Sequence, residues 1–283
     1  MTKKAKFGFH APITGGLQNA LIKSHELNCK TVQIFSRNPR GWAAKPLNEE
    51  EIAEFKKIRR RLGINPVVVH CNYLVNLAAA DDSMRTKSIT AFREEVLRCL
   101  VLGVDYLVVH PGSAKGATEE SGVQFCSDSL KLACEGLELG KFRILLENTA
   151  GQGACIGHVF EHLGAIMRAC RDLNLGVCFD TAHAFTAGYD IRDQDGFKAA
   201  MQSLEKHVGL KHVRAIHFND SRADYNSRVD RHWHIGLGKI GAEGLRRVAS
   251  HPGFAHAAFI LETPQDDPQE HLKNVDKLRG YVS

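Results

Sequence analysis

Seven side chains able to hold a metal ion end short apolar runs scattered along the chain: His10, His70, His110, Glu147, Asp180, His217 and Glu262. His183 follows Asp180 by three residues. Asp230 and His232 lie two apart in an arginine-bearing stretch beyond His217, where glycines 236, 238 and 241 close the segment. In an extended segment a spacing of two points both side chains the same way. Carboxylate and neutral imidazole are donors that suit zinc, manganese or iron. One such residue means little, because a neighbouring hydrogen bond or an arginine satisfies it. Several buried carboxylates together are different. Burying charges without compensation is prohibitively costly, and cations resolve the cost.

The charge count narrows the number of ions. Glu147, Asp180, Asp230 and Glu262 supply four negative charges. With the histidines neutral, one divalent ion leaves such a site negative, two leave it near zero and three leave it positive. A site for a phosphodiester should be neutral or positive, so two or three ions are expected rather than one.

These residues need elements that bring them together. Short β-rich runs alternate with segments of helical period eight times. Strands are expected at Lys6–His10, Thr31–Ser36, Pro66–His70, Tyr106–His110, Arg143–Thr149, Gly176–Thr181, Val213–Asn219 and Phe259–Thr263. Helices are expected at Leu17–Leu27, Asn48–Leu62, Ser83–Leu102, Glu119–Glu138, Gly157–Leu173, Gly196–Val208, Ala242–Ser250 and Gln269–Tyr281. Ile52, Phe55 and Ile58 recur at helical spacing, and Asn48 with Glu51 has the pattern of a capping box. Unbroken strand–helix alternation implies a parallel sheet, and the strands' continuous apolar character implies cover on both faces. The fold class expected is α/β, a (β/α)8 TIM barrel forming a single domain over residues 1–283, with functional loops at the carboxyl ends of its strands. An open doubly wound sheet is the rival, but no Gly-x-Gly-x-x-Gly follows the first strand. In a barrel the carboxyl ends of all strands meet on one face, so the polar residues would converge there.

Composition agrees. Of the 283 residues 43% are apolar and 24% charged, ordinary for a globular protein with a full-sized core. A net charge of +5 permits a phosphate-bearing partner without demanding one. The eight cysteines form no Cys-x-x-Cys pair and sit mostly in apolar runs, where a thiol behaves as a small hydrophobe. The first residues lead directly into a strand with no apolar signal core, and no stretch is long enough to span a bilayer. A reduced, cytoplasmic protein is expected.

At these residues the sequence resembles the endonuclease IV family of abasic-site DNA endonucleases. The resemblance covers essentially the whole chain. It is carried by His70–Leu77, His110–Ser113, Glu147–Gly153, Asp180–Asp190, His217–Asp220, Ser227–His232 and Leu261–Thr263. It implies a barrel holding three zinc ions (Zn2+), with Mn2+ admissible in part. His70, His110 and Glu147 would hold the first, and Glu147 would bridge to a second held with Asp180, His217 and Glu262. His183, Asp230 and His232 would hold the third. Glu147 and Glu262 would be the catalytic carboxylates. The implied reaction is hydrolysis of the phosphodiester 5′ to an abasic site, leaving a 3′-hydroxyl, with trimming of blocked 3′ ends. Zinc suits it, since it lowers the pKa of bound water toward about 7.

The implied partner is double-stranded DNA containing abasic sites, met by a monomer with no membrane attachment. The resemblance places Arg40 in the duplex near the lesion, with Asn38 on the same loop and Tyr73 and Leu74 as wedges. A baseless nucleotide costs little to extrude, and flat or apolar side chains fill the gap. Arg222, Arg228 and Arg231 would meet phosphates. Gly41, Cys71–Asn72, Ala182 and Trp233 depart from common family residues, but none is a metal position. His10 and His234 are expected to be supporting groups rather than ligands. Two alternatives share parts of this pattern. A metal-dependent sugar isomerase or epimerase on the same barrel leaves the Asp230–His232 pair and the arginine-rich loop without a task. A lesion-binding or metal-storage protein leaves an intact ligand set idle.

Overall fold

The computed structural model describes residues 5–282. The expectation of a leaderless start falls in part on residues 1–4, which lie outside the described residues. Eight parallel strands form the barrel: β1 (Lys6–Phe9), β2 (Val32–Phe35), β3 (Val67–His70), β4 (Tyr106–Val109), β5 (Arg143–Glu147), β6 (Leu175–Asp180), β7 (Val213–His217) and β10 (Ala258–Leu261). The helices are α1 (Leu17–Glu26), α2 (Glu49–Leu62), α3 (Asp82–Leu102), α4 (Glu119–Cys134), α5 (Phe160–Ala169), α6 (Thr181–Ala187), α7 (Gln194–His207), α8 (Gly241–Ser250) and α9 (Pro268–Val282). A two-residue hairpin, β8 (Asp220–Ser221) with β9 (His232–Trp233), crosses the loop after β7.

The strands run in the order β1-β10-β7-β6-β5-β4-β3-β2. The ring closes between β1 and β2, where His10 and Gln33 make a single parallel bridge and the Ala11 N–H donates to the Gln33 carbonyl at 2.8 Å. The two strands approach so closely that a Cβ on Gly8 would stand 1.9 Å from the Thr31 carbonyl oxygen. Only glycine fits there. The (β/α)8 barrel expected from the alternation is therefore the fold observed.

Strand alternation then sets what points inward. Val68, Val108, Leu145, Cys178, Ala215 and Ile260 pack together as a buried cluster of their own inside the barrel, apart from the larger shell between strands and helices. Two residues further along the same strands stand His70, His110, Glu147, Asp180, His217 and Glu262. A period of two keeps each on the inward face, one layer nearer the carboxyl end. The apolar layer is thus a floor and the polar residues its upper storey.

Local signals explain the elements. Asn48 caps α2: its side chain accepts from the Glu51 N–H at 2.8 Å, and Glu51 accepts from the Asn48 N–H at 3.1 Å. Two helices depart from expectation at their boundaries. α4 stops at Cys134 rather than Glu138, as the chain turns through Gly136 in the left-handed region. α5 begins at Phe160 rather than Gly157, which packs against Pro111 with positive φ. α6 and the hairpin were not expected. α6 is seven residues long, and Thr181–Thr186 are buried throughout, so it has no amphipathic stripe to betray it. Its cap is Asp180, which accepts from the His183 N–H at 2.6 Å.

Candidate metal centre

The nine expected ligand positions meet above the apolar floor. Glu147, fully buried, stands at the centre. Its Oε2 lies 3.2 Å from His70 Nε2 and 3.1 Å from His110 Nε2. Its Oε1 lies 2.8 Å from His217 Nδ1 and 3.3 Å from His183 Nδ1. Glu262 Oε2 is 3.1 Å from His217 Nδ1. His232 Nε2 is 3.4 Å from Asp180 Oδ2, and Asp230 Oδ2 is 3.2 Å from His183 Nε2. Three groups of donor atoms are tight enough for an ion: His70, His110 and Glu147; Glu147, Asp180, His217 and Glu262; and Asp180, His183 and His232. Asp230 stands beside the last group.

Each of four imidazoles has one nitrogen committed to an oxygen away from the centre. His70 Nδ1 meets the Cys71 carbonyl at 2.7 Å, and His183 Nδ1 the Asn148 carbonyl at 2.9 Å. His217 Nε2 meets Gln33 Oε1 at 2.8 Å, and His232 Nδ1 the Glu262 carbonyl at 3.3 Å. A carbonyl oxygen only accepts, so the committed nitrogen carries the proton and the other turns a lone pair inward. Four lone pairs facing four carboxylates repel unless metal cations, or in their absence protons, stand between them. Two of the inward nitrogens, His183 Nε2 and His232 Nε2, are buried without any hydrogen-bond partner. The residues present therefore fit divalent ions, with the outer hydrogen bonds usual for metal-bound histidine.

In the metal-free chain the same groups shift one another's ionisation. Burial alone would raise the Glu147 carboxyl, but the facing His217 and His110 hold it well below the usual carboxylate range. Burial and His183 act in the same opposed way on Asp230, which is also held low. Burial would lower His183, yet Asp180 and Asp230 raise it well above its ordinary value.

Asparagines and a threonine brace the strand ends. Asn148 donates to the Asp180 carbonyl at 3.0 Å and accepts from the Asp180 N–H at 2.8 Å. Asn219 donates to Asp180 Oδ2 at 2.9 Å and accepts from the Glu262 N–H at 2.8 Å. Thr181 Oγ1 donates to the Asn219 carbonyl at 2.6 Å. Sequence reasoning assigned none of these a role, nor Gln33. The available signal was a buried amide interrupting an apolar run, as in Val-Gln-Ile-Phe. His10 contacts Gln33 and Glu262, and His234 accepts from Asn274 at 3.0 Å.

The centre opens into a cleft of about 920 Å³. Asn38, Tyr73 and Arg231 line it with Pro12, Ile13 and Phe35; Arg40, Leu74 and Arg228 do not. Arg40 and Arg228 are exposed on the flanking loops, and Tyr73 is 61% exposed at the rim. Leu74 is half-buried. The loop carrying Asn38 and Arg40 is pinned by buried Arg37, which donates to Glu95 at 2.6 Å and to the Ala91 carbonyl at 2.7 Å. Tyr73 is tied to the same loop through its N–H, 3.1 Å from the Pro39 carbonyl.

A closed parallel barrel with carboxylates and imidazoles at its carboxyl rim defines a class, and residues 21–281 match the family described as xylose isomerase-like TIM barrel. Likeness within that class reaches a D-tagatose 3-epimerase-like protein, 22% identical with a TM-score of 0.71 over 98% of this chain and 97% of that one. At that identity only the fold is shared. Much closer is a Chloroflexus aggregans protein named "Probable endonuclease 4", 45% identical over 98% of both chains. The crystal structure of endonuclease IV from Thermus thermophilus has 36% identity and a TM-score of 0.87, covering 98% of each chain. The chain belongs to the endonuclease IV family, and as an enzyme it is of the endonuclease IV type.

Proposed function

We propose that the chain repairs double-stranded DNA by hydrolysing the phosphodiester 5′ to abasic sites, leaving a 3′-hydroxyl, and that it also trims blocked 3′ ends. The observation that carries this reading is the convergence of His70, His110, Glu147, Asp180, His183, His217, Asp230, His232 and Glu262 on one rim, with carboxylates and imidazole nitrogens turned toward one another. These residues would hold three zinc ions, with manganese replacing some. When bound, such ions acidify water and stabilise charge on a leaving oxygen. Glu147 is suited to share two ions because Oε2 faces His70 and His110 while Oε1 faces His217. Glu262 is held by a neighbouring amide on one oxygen and turns the other to the centre.

The DNA would lie across the rim. Tyr73 and Leu74 would fill the gap left by the extruded nucleotide, with Asn38 and Arg40 beside it. Arg228 and Arg231 would meet phosphates, the sequence-independent and salt-sensitive part of binding. Arg37 and Glu95 keep the Asn38–Arg40 loop in place before DNA arrives, so less ordering is left to binding. The proposed setting is a cytoplasmic monomer. All eight cysteines are unpaired, and no helix among the described residues is long and apolar enough to cross a membrane.

The test is a duplex oligonucleotide with one tetrahydrofuran abasic analogue, incubated with and without a chelator, beside elemental analysis of the protein. Chelator-sensitive nicking on the 5′ side of the lesion with two or more zinc ions per chain is expected. Turnover of free sugars without nicking, binding without turnover, or a stoichiometry below two would overturn it.

A further inference from the structure

Gln33 differs in kind from the rest of the polar cage. It lies within β2 rather than at a strand end, is fully buried, and stands in register with Val68 of β3. Neighbouring strands fill the barrel interior with apolar side chains. A primary amide there is costly unless its donors and acceptor are used. All are used. Oε1 sits 2.8 Å from His217 Nε2, while Nε2 donates to His10 Nδ1 at 2.9 Å and to Glu262 Oε1 at 2.5 Å. Turning the amide over would set its oxygen against the Glu262 carboxylate. Only one orientation satisfies the site.

That orientation has consequences for three partners. Because Oε1 can only accept, the proton of His217 belongs on Nε2, and Nδ1 presents its lone pair to Glu147 Oε1 at 2.8 Å and Glu262 Oε2 at 3.1 Å. The amide N–H fixes Glu262 through Oε1 and leaves Oε2 to the cage. His10 accepts the remaining amide hydrogen. Its 3.3 Å approach to Glu262 Oε1 is longer than either Gln33 bond, as expected of a nitrogen that accepts from Gln33 rather than donates to the acid.

We propose that Gln33 is a positioning residue: braced by His10, it fixes the tautomer of His217 and the rotamer of Glu262, and so builds the middle ion pocket of Glu147, Asp180, His217 and Glu262. This rests on the metal-holding reading of the site. Gln33 acts on two ligands at once through one planar group. A disturbance of it should fall on that pocket alone, since His70, His183 and His232 are oriented by backbone carbonyls.

The test is Gln33→Met, which keeps length and volume and removes both polar arms. Zinc retention is measured by competition with a chromophoric chelator, without DNA. One ion is expected to bind about 10- to 100-fold more weakly, the range for loss of an outer hydrogen-bond partner, while the other ions hold as in the parent. Unchanged retention of every ion would overturn the inference, and so would equal weakening of all, which marks general loosening. If the variant does not fold, long-range nitrogen–proton NMR of the zinc-loaded parent decides. His217 protonated at Nε2 supports the assignment, and protonation at Nδ1 overturns it. A parent that binds zinc but leaves abasic duplex intact defeats the proposed function and leaves this measurement standing.

Discussion

Replacing Glu147 by glutamine isolates the central carboxylate. The substitution keeps size and shape and removes one of four negative charges from a fully buried position. Each Glu147 oxygen faces two imidazole nitrogens, at 3.1 and 3.2 Å on one side and 2.8 and 3.3 Å on the other. An amide can keep an acceptor toward only one pair and must turn N–H groups toward the other. Two ion pockets share this residue, so both are damaged. Weakening the ions in both pockets forfeits transition-state charge stabilisation of about 3–5 kcal/mol, the several-kcal/mol worth of a bound Lewis acid. At 1.36 kcal/mol per decade that is about a 150- to 5,000-fold loss of nicking. The assay is single-turnover cleavage of the tetrahydrofuran duplex at saturating zinc, with metal content measured on the same sample and far-UV circular dichroism confirming the fold. A folded Glu147→Gln protein that retains a full complement of zinc and nicks within about tenfold of the parent would refute the bridging role.

Other expectations follow from the rim and from the metal-free state. Tyr73→Ala should lower kcat/KM for the abasic duplex by about 5- to 150-fold, the value of one lost stacking platform, with zinc content unchanged; an unaltered kcat/KM removes Tyr73 from the interface. Arg228→Ala should weaken DNA binding and reduce the slope of log affinity against log salt by about 1, and a slope equal to the parent's rejects a phosphate contact. In the metal-free chain burial opposes, but facing carboxylates outweigh it, so His70 is raised above its ordinary 6.5 and His183 and His217 well above it. Groups raised on folding stabilise fully below the unfolded value and lose that contribution as pH climbs through the folded one. The metal-free melting temperature should therefore fall between about pH 6.5 and 8.5, before cysteines of the unfolded chain ionise. Zinc loading should flatten that slope, because bound imidazoles are already neutral. Parallel slopes in thermal melts with chelator and with zinc would show that these histidines do not face one another's carboxylates as described.

Much of the barrel was legible because six of its eight strands repeat one device: an apolar inward residue, then a polar residue two positions later. Leu145 and Glu147, Cys178 and Asp180, and Ala215 and His217 all follow it. Local period was enough to place them on one face, and the alternation with helices was enough to gather the faces. What remained illegible depends on contacts distant in sequence. α6, which carries His183, is too short and too uniformly buried to display a helical stripe. The roles of Gln33, Asn148 and Asn219 arise from hydrogen bonds spanning 23 to 229 residues, which no local pattern encodes. The loop residues at the rim were the least legible, because exposure there leaves no periodic trace.

The seam between β1 and β2 bears on how the chain is made. β1 has a full ladder of partners only in β10, from Lys6 opposite Ala258 to Phe9 opposite Leu261, while toward β2 it has one bridge. During synthesis from the amino end the first strand has to wait for nearly the last one to leave the ribosome. Until then the sheet is an open curl. Glu262 follows directly behind that final strand, so shutting the ring and bringing the last carboxylate to the rim are one event. A chain stalled short of it can neither close nor gather the full set of acids and imidazoles at its mouth.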